Sequence, residues 1–134
     1  FNKVEESLNI PNEVVYDILE KLEDFELKKK YTSNKITLNS LATDLKTNTN
    51  YMSKVINYHK KTSFTNYLNE LRIHNIVHQL QTNASIRRFT IKAVAEEAGF
   101  NNASSFSIAF VKVKGMKPSS FVKKLDNDDS KKLL

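Results

Sequence analysis

The chain has 134 residues, enough for a compact domain of ordinary size, and its 40% apolar and 27% charged residues are typical of a globular protein. It contains no Cys, which excludes disulfides, cysteine metal sites and cysteine nucleophiles and suits a reducing compartment. No apolar run approaches the ~20 residues that span a bilayer, and no signal peptide is visible, so we expect a cytoplasmic location and no membrane contact within this segment.

Positive charge is concentrated in the middle of the chain. Residues 32–125 contain 14 Lys and Arg but only 4 Asp and Glu, a net charge of +10, whereas residues 1–31 carry −3 and residues 126–134 carry −1. Such a field raises the local concentration of polyanions. Surface lysines that serve only solubility are the alternative, but the segregation of charge favours a nucleic-acid partner.

The spacing of apolar residues predicts an all-α fold of about seven helices, since only 2 Gly and 2 Pro are present to interrupt them. We expect Asn12 to cap the first helix, over roughly 13–29. A second helix should follow Thr37, a third should begin at Thr49, and Ser63 should cap a long fourth helix.

The same order of elements begins again in the second half of the chain. Thr90 is expected to cap a fifth helix, and Gly99 lies in the turn before a sixth helix that carries Phe106. Gly115 should end the sixth helix, and Pro118 fits the first turn of the last one.

An internal repeat connects the two halves. At an offset of 53, the matching pairs are Thr37 and Thr90, Leu38 and Ile91, Leu41 and Val94, Ala42 and Ala95, and Leu45 and Ala98. After one inserted residue, an offset of 54 pairs Asn48 with Asn102, Met52 with Phe106, Ile56 with Phe110, and Tyr67 with Phe121. Each unit reads as a capped helix, a short turn and a second capped helix, which is the pattern of a helix-turn-helix. Two such units, joined by a long linker helix, could place two recognition helices about one DNA turn apart, ~34 Å.

Several motifs of this repeat resemble those of the AraC/XylS family of bacterial regulators. The first unit contains LNSLATDL, NTNYMSKVI and SFTNYLNELRI, and the second contains TIKAVAEEAGF, SSFSIAF and GMKPSSF. The resemblance covers about residues 37–125. It implies two homeodomain-like helix-turn-helix subdomains joined by a linker helix, which bind specific double-stranded DNA in transcription regulation without a cofactor. It also implies RNA polymerase as a partner and a nucleoid-associated location.

The resemblance assigns DNA contacts by position. In the first recognition helix they are Thr49, Asn50, Ser53, Lys54 and Asn57, and in the second they are Ala103, Ser104, Ser105, Ser107 and Lys112. Asn can pair with adenine through two hydrogen bonds, and Lys can donate to guanine. The phosphate contacts are expected at Thr90, Ser119, Lys60 and Lys61.

Three positions depart from the family pattern. Ile108 stands where the family often has Arg, so we expect the second unit to make mainly backbone contacts. Lys61 replaces a common Gly, and Lys117 replaces a common Thr cap; both substitutions add positive charge.

The predicted organisation has four segments. Residues 1–12 are interpreted as a tail that connects to a missing upstream domain, residues 13–82 as the first unit with its linker helix, residues 83–125 as the second unit, and residues 126–134 as a disordered tail. Because the chain starts at Phe1, we expect it to be part of a longer protein. The fragment is expected to be monomeric and the full-length protein dimeric.

Other classes of function have weaker support. His74 and His78 are four residues apart but lack a third metal ligand, and no catalytic motif is present, so neither a metal site nor an enzyme is predicted. A helical module that binds protein rather than DNA is the main alternative. RNA binding would need exposed aromatic platforms, whereas most aromatic residues fall at predicted core positions.

Overall fold

The computed structural model describes residues 8–133, and the regular structure within this range is helical. Seven α-helices lie wholly within this range: α1 (Asn12–Leu27), α2 (Leu38–Asp44), α3 (Thr49–Lys60), α4 (Phe64–Thr82), α5 (Ile91–Ala98), α6 (Ala103–Lys114) and α7 (Pro118–Lys132). Short 3-10 helices span Lys30–Thr32 and Ala84–Arg88. The predicted all-α fold is confirmed. No helix within the described range is both long and apolar enough to cross a membrane.

The chain divides into two compact units, and the boundary falls inside α4, between Leu68 and Asn69. The boundary expected from the sequence lies instead after Thr82. The difference arises because α4 contributes to two cores. The side chains of Tyr67 and Leu68 are buried in its first half, whereas its second half supplies apolar residues to the core of the second unit.

The core of the first unit is built from α1, α2 and α3. Its helices bury one apolar face each, and the fully buried residues include Ile18, Leu22, Leu41, Met52 and Ile56. Thr37 caps α2 as predicted, because its hydroxyl accepts a hydrogen bond from the Ser40 amide at 3.0 Å. The Ser40 hydroxyl in turn accepts from the Thr37 amide at 2.9 Å, which completes a capping box.

The start of α1 differs from the prediction. The capping residue is Pro11, whose carbonyl accepts hydrogen bonds from the amides of Val14 and Val15. Asn12 is already helical, and its Oδ1 atom is buried without a hydrogen-bond partner. The prediction that Asn12 caps α1 is therefore wrong. Proline can hold the extended backbone that precedes a helix, so no capping side chain is needed for the chain to turn there.

The core of the second unit is dominated by aromatic side chains. Phe106 lies between Phe100 and Phe110, with ring centroids 5.5 and 5.6 Å away, and Phe110 contacts Phe121 at 5.5 Å. All these contacts are edge-on, the arrangement that the charge distribution of aromatic rings favours. Ala95 is buried beneath these rings in the same core, where a small side chain allows α5 and α6 to pack closely.

The repeat is also visible in the backbone. Helix α2 ends with the Thr47 amide donating to the Ala42 carbonyl, and α5 ends with the Phe100 amide donating to the Ala95 carbonyl, each at 2.9 Å. In both cases the preceding residue is left-handed: Lys46 has a φ of 58° and Gly99 a φ of 106°. These are two copies of the same helix-ending motif.

The tail predicted to be disordered is helical as far as Lys132. The buried guanidinium of Arg87 donates to Asp126 at 3.1 Å and to Asp129 at 2.6 Å, and it also donates to the Leu80 carbonyl at 2.7 Å. Arg88 donates to Asp126 at 3.0 Å. The acidic residues therefore fasten the last turns of α7 to the 3-10 helix, which a reading of residues 126–134 as a polar tail could not reveal. Residues 1–7 of the expected N-terminal tail lie outside the described residues.

Candidate nucleic-acid interface

Helix α3 presents one polar face because its other face is held in the core. Asn48 caps the helix by accepting from the Tyr51 amide at 2.8 Å, and Met52, Val55 and Ile56 are fully buried. The residues assigned to DNA contact by sequence lie on the accessible side. Thr49, Asn50, Lys54 and Asn57 are exposed, and Ser53 is half-buried.

Helix α6 has the same construction. Asn102 accepts from the Ser105 amide at 2.8 Å, and Phe106, Ala109 and Phe110 are buried. The residues predicted to contact DNA are again accessible: Ser104, Ser105 and Lys112 are exposed, and Ala103 and Ser107 are half-buried.

Two exposed apolar residues of α6 were not among the predicted contacts. Ile108 is 70% exposed and Val111 is 43% exposed, although both are large and apolar. In the sequence, Ile108 stands out only as a departure from the family pattern. The signal that can find both residues is their position: Ile108 lies midway between Phe106 and Phe110, and Val111 follows Phe110, so neither falls on the helix face that these two rings bury.

An open groove of about 490 Å³ runs beside this face of α6 within the second unit. Its lining comes from the starts of α5 and α7 as well as from α6, and consists of Ile91, Ser107, Ile108, Val111, Lys117, Pro118 and Ser119. The predicted phosphate contact Ser119 therefore lies next to the recognition helix. The groove is predominantly apolar, with a single cationic side chain.

The N-termini of α5, near Thr90, and of α7, near Ser119, differ in their capping. The Thr90 hydroxyl accepts a hydrogen bond from the Ala93 amide at 3.1 Å. At the start of α7, Lys117 provides no side-chain cap, and Pro118 occupies the first helical position. The first-turn amides of a helix have no acceptor within it, so the start of α7 has the chemistry needed to hold an anionic oxygen.

Lys60 and Lys61, at the end of α3, have different surroundings. The Lys60 ammonium lies 3.2 Å from a carboxylate oxygen of Glu26 and 5.7 Å from the ring centroid of Tyr67. The hydroxyl of Tyr67 donates to the same carboxylate, and burial together with this hydrogen bond raises the pKa of Tyr67. Lys61 lies 4.7 Å from the ring centroid of Tyr58. Lys60 is thus held by an internal ion pair, which sequence spacing did not show.

His59 precedes these lysines, and its surroundings disfavour the charged imidazolium. Burial lowers its pKa, and the positive charges of Lys61 and Lys60 lower it further. Its Nε2 atom is buried without a hydrogen-bond partner. The imidazole therefore adds little to the positive charge at this end of the helix near neutral pH.

His74 and His78 are both exposed on α4. Among residues 8–133, no three His, Cys, Asp or Glu side chains come together in a way that could hold a metal ion. The geometry of the described residues therefore offers polar and cationic helix faces rather than a metal centre.

A model of a protein family described as a helix-turn-helix domain matches residues 41–124, which is more than half of the chain. The chain belongs to this family. Its helix-turn-helix is of the AraC type, so the resemblance seen in the sequence is confirmed, and the function of the domain is DNA binding in transcription regulation. The matched residues include both α3 and α6.

Solved structures share the fold of this AraC-type domain. The C-terminal domain of AraT, a response regulator from Geobacillus stearothermophilus, is 24% identical with a TM-score of 0.69, over 80% of this chain and 84% of that one. The C-terminal domain of the response regulator yesN from Fusobacterium nucleatum is 22% identical with a TM-score of 0.65, over 78% and 97%. An AraC-type transcriptional regulator from Chromobacterium violaceum is 14% identical with a TM-score of 0.64, over 81% and 91%. A comparison with curated protein sequences gave no match.

Proposed function

We propose that this AraC-type domain binds a specific double-stranded DNA site by placing α3 and α6 in successive segments of the major groove. The observation that carries the proposal is that each helix buries one face in its own core and leaves the residues of its opposite face accessible. Both helices belong to a block with a net charge of +10, which attracts the phosphate backbone.

In this proposal α3 reads bases by hydrogen bonding. Asn50 has the amide group that pairs with adenine, and the Lys54 ammonium donates to guanine. Asn57 extends the same face, although its amide nitrogen also lies 3.5 Å from the Ser53 hydroxyl. Thr49, at the exposed start of the helix, is suited to a phosphate or a base edge.

The second unit binds mainly through the DNA backbone in this proposal. Ser104, Ser105 and Ser107 have short hydroxyl side chains that reach phosphate oxygens, and Ala103 permits close approach. Lys112 adds a positive charge. Backbone amides at the N-termini of the helices near Thr90 and Ser119 hold phosphates. Lys61 attracts phosphates by its charge, and Lys60 does so once it leaves its ion pair with Glu26.

We propose that the regulatory effect involves contact with RNA polymerase, that the full-length protein is dimeric while the fragment is monomeric, and that the protein acts in the cytoplasm at the nucleoid. These proposals follow from the DNA-binding role rather than from a surface of the structure.

The test is selection of bound duplexes from a random pool, followed by affinity measurements on the enriched motif. We expect wild type to enrich one motif, and Asn50→Ala or Lys54→Ala each to weaken binding to it by about 1–3 kcal/mol and to relax the preference at one base position. Lys28→Ala is the matched control, because it removes one exposed positive charge outside the recognition helices, at the end of α1.

Two outcomes would count against the proposal. Enrichment of no motif, with no salt-dependent binding to any duplex, would favour the alternative of a helical protein-interaction module. A wild-type preference that both recognition-helix variants retain would show that α3 does not read the bases.

A further inference from the structure

The two recognition helices differ in chemistry at equivalent positions of the repeat. The offset of 54 places Ile108 at the position of Lys54 and Val111 at the position of Asn57. One helix therefore presents an amine and an amide where the other presents two apolar side chains, 70% and 43% exposed. Neither apolar side chain can form a hydrogen bond to a base.

The exposed apolar surface of α6 is continuous. Ile108 and Val111 line the groove together with Ile91 and Pro118. Ile91 is half-buried and Pro118 is buried, so Ile108 and Val111 are the exposed members of this apolar lining. A single exposed apolar residue on a protein surface is ordinary, but two that share one apolar groove indicate a contact with a partner.

The charge around the groove indicates what that partner is. Residues 98–125 contain five Lys and no Asp or Glu, and one of these lysines, Lys117, lines the groove itself. A surface with this charge favours a polyanion over a neutral apolar protein segment. On the major-groove edge of DNA, the apolar group that an aliphatic side chain can contact is the 5-methyl group of thymine.

We propose that Ile108 determines specificity in the second half of the DNA site by packing against a thymine methyl group. This inference rests on the proposed function, since it requires α6 to enter the major groove. The second unit would then make one base contact that needs no hydrogen bond, in addition to its expected contacts with the DNA backbone. Ser107, next to Ile108 and half-buried in the groove, is short enough to let the base edge approach.

The experiment removes the thymine 5-methyl group and the Ile108 side chain, first separately and then together. Each thymine of the selected motif is replaced singly by deoxyuridine, which lacks only the 5-methyl group, and the affinity is measured with wild type and with Ile108→Ala. We expect one position where deoxyuridine weakens wild-type binding about fourfold, the effect of one buried methyl group, and where Ile108→Ala loses this penalty. Deoxyuridine penalties at other positions should be the same for both proteins.

Lys54→Ala serves as the control, because Lys54 occupies the equivalent position in the first unit. It should weaken binding but keep the deoxyuridine penalty at the position assigned to Ile108. Since Ile108 is exposed, Ile108→Ala should unfold at the wild-type temperature, which a thermal unfolding curve checks.

The proposal is overturned if Ile108→Ala retains every deoxyuridine penalty, or if it binds the motif as tightly as wild type. The second result would leave the groove as a surface for another protein. Both results presuppose an enriched motif, so they are distinct from failure of the proposed function, in which no motif is enriched at all.

Discussion

Among residues 8–133, four residues other than glycine have a positive φ, and two of them follow helices of the first unit at positions where the second unit has glycine. Lys46 has a φ of 58° after α2, and Lys61 has a φ of 60° after α3. The second unit has Gly99 and Gly115 at the equivalent positions. The left-handed conformation costs a residue with a β-carbon ~1–2 kcal/mol, so the first unit carries a backbone strain that the second unit avoids.

This strain predicts that Lys61→Gly increases the free energy of unfolding by about 1 kcal/mol, the strain relieved less the greater entropy of unfolded glycine. Chemical denaturation of the wild type and the variant measures the change. Lys61→Ala is the control, because it removes the same charge but keeps a β-carbon. A gain in stability equal for both variants would attribute the effect to charge instead of backbone strain.

The opposite substitution can be made in the second unit. A β-carbon added at Gly115 would meet no atom within 4 Å, so Gly115→Ala changes the backbone conformation energy without a steric clash. We expect the free energy of unfolding to fall by about 1 kcal/mol, again from the left-handed φ. Thermal or chemical denaturation of this variant tests the value, and unchanged stability would refute the explanation given for Lys61.

At the scale of elements, the 3-10 helix and the end of α7 are joined by ion pairs. Arg87 is the centre of this group, with its side chain only 3% exposed, whereas the side chain of Arg88 is 67% exposed. Hydrogen bonds from Arg88 and then from Arg87 lower the pKa of Asp126. Breaking the hydrogen bonds between a buried arginine and its acceptors should lower the free energy of unfolding more than the same change at the surface.

We predict that Arg87→Met lowers the free energy of unfolding by about 2 kcal/mol, because a buried hydrogen bond to the Leu80 carbonyl and part-buried charged hydrogen bonds to Asp126 and Asp129 are lost. Arg88→Met, the matched control, should cost less than about 1 kcal/mol. Denaturation curves followed by circular dichroism give both values. Equal losses in the two variants would contradict the central role of Arg87.

The same group predicts a dependence on pH. Because the folded protein lowers the pKa of Asp126 below its ordinary value of 3.8, the stabilisation from this carboxylate is present above that pH and is lost as the pH falls through the lower folded value. The difference in stability between wild type and Arg87→Met should therefore shrink in acid, and a difference that stays constant below pH 3.8 would show that Asp126 is not coupled to Arg87.

At the scale of the whole molecule, function depends on where the charge lies. The net charge of +6 understates the central block, which carries +10 between acidic ends. Neutralising phosphates releases counterions from DNA, so binding by such a block should depend strongly on salt. If six or more phosphates are contacted, we expect affinity for the selected site to fall by about 10³-fold or more between ~50 and ~200 mM salt. A nearly flat dependence would show that the basic block does not contact the DNA backbone.

The sequence by itself determined the helical class, the two repeated units and the helix caps at Thr37 and Thr90. These features are local: both residues cap helices through an amide three positions away, and apolar spacing fixes which face of each helix is buried. The family could be recognised from the sequence for the same reason, since its motifs consist of these caps, turns and core positions in order.

Only the tertiary structure decided the features that depend on residues distant in the chain. The acidic partners of Arg87 lie about 40 residues away, so the helical state of residues 126–132 could not be read from their polar composition. The pairing of Lys60 with Glu26 and the groove beside Ile108 have the same origin. Each arises where separate helices pack together, and the distances between side chains on different helices are set by packing rather than by spacing along the sequence.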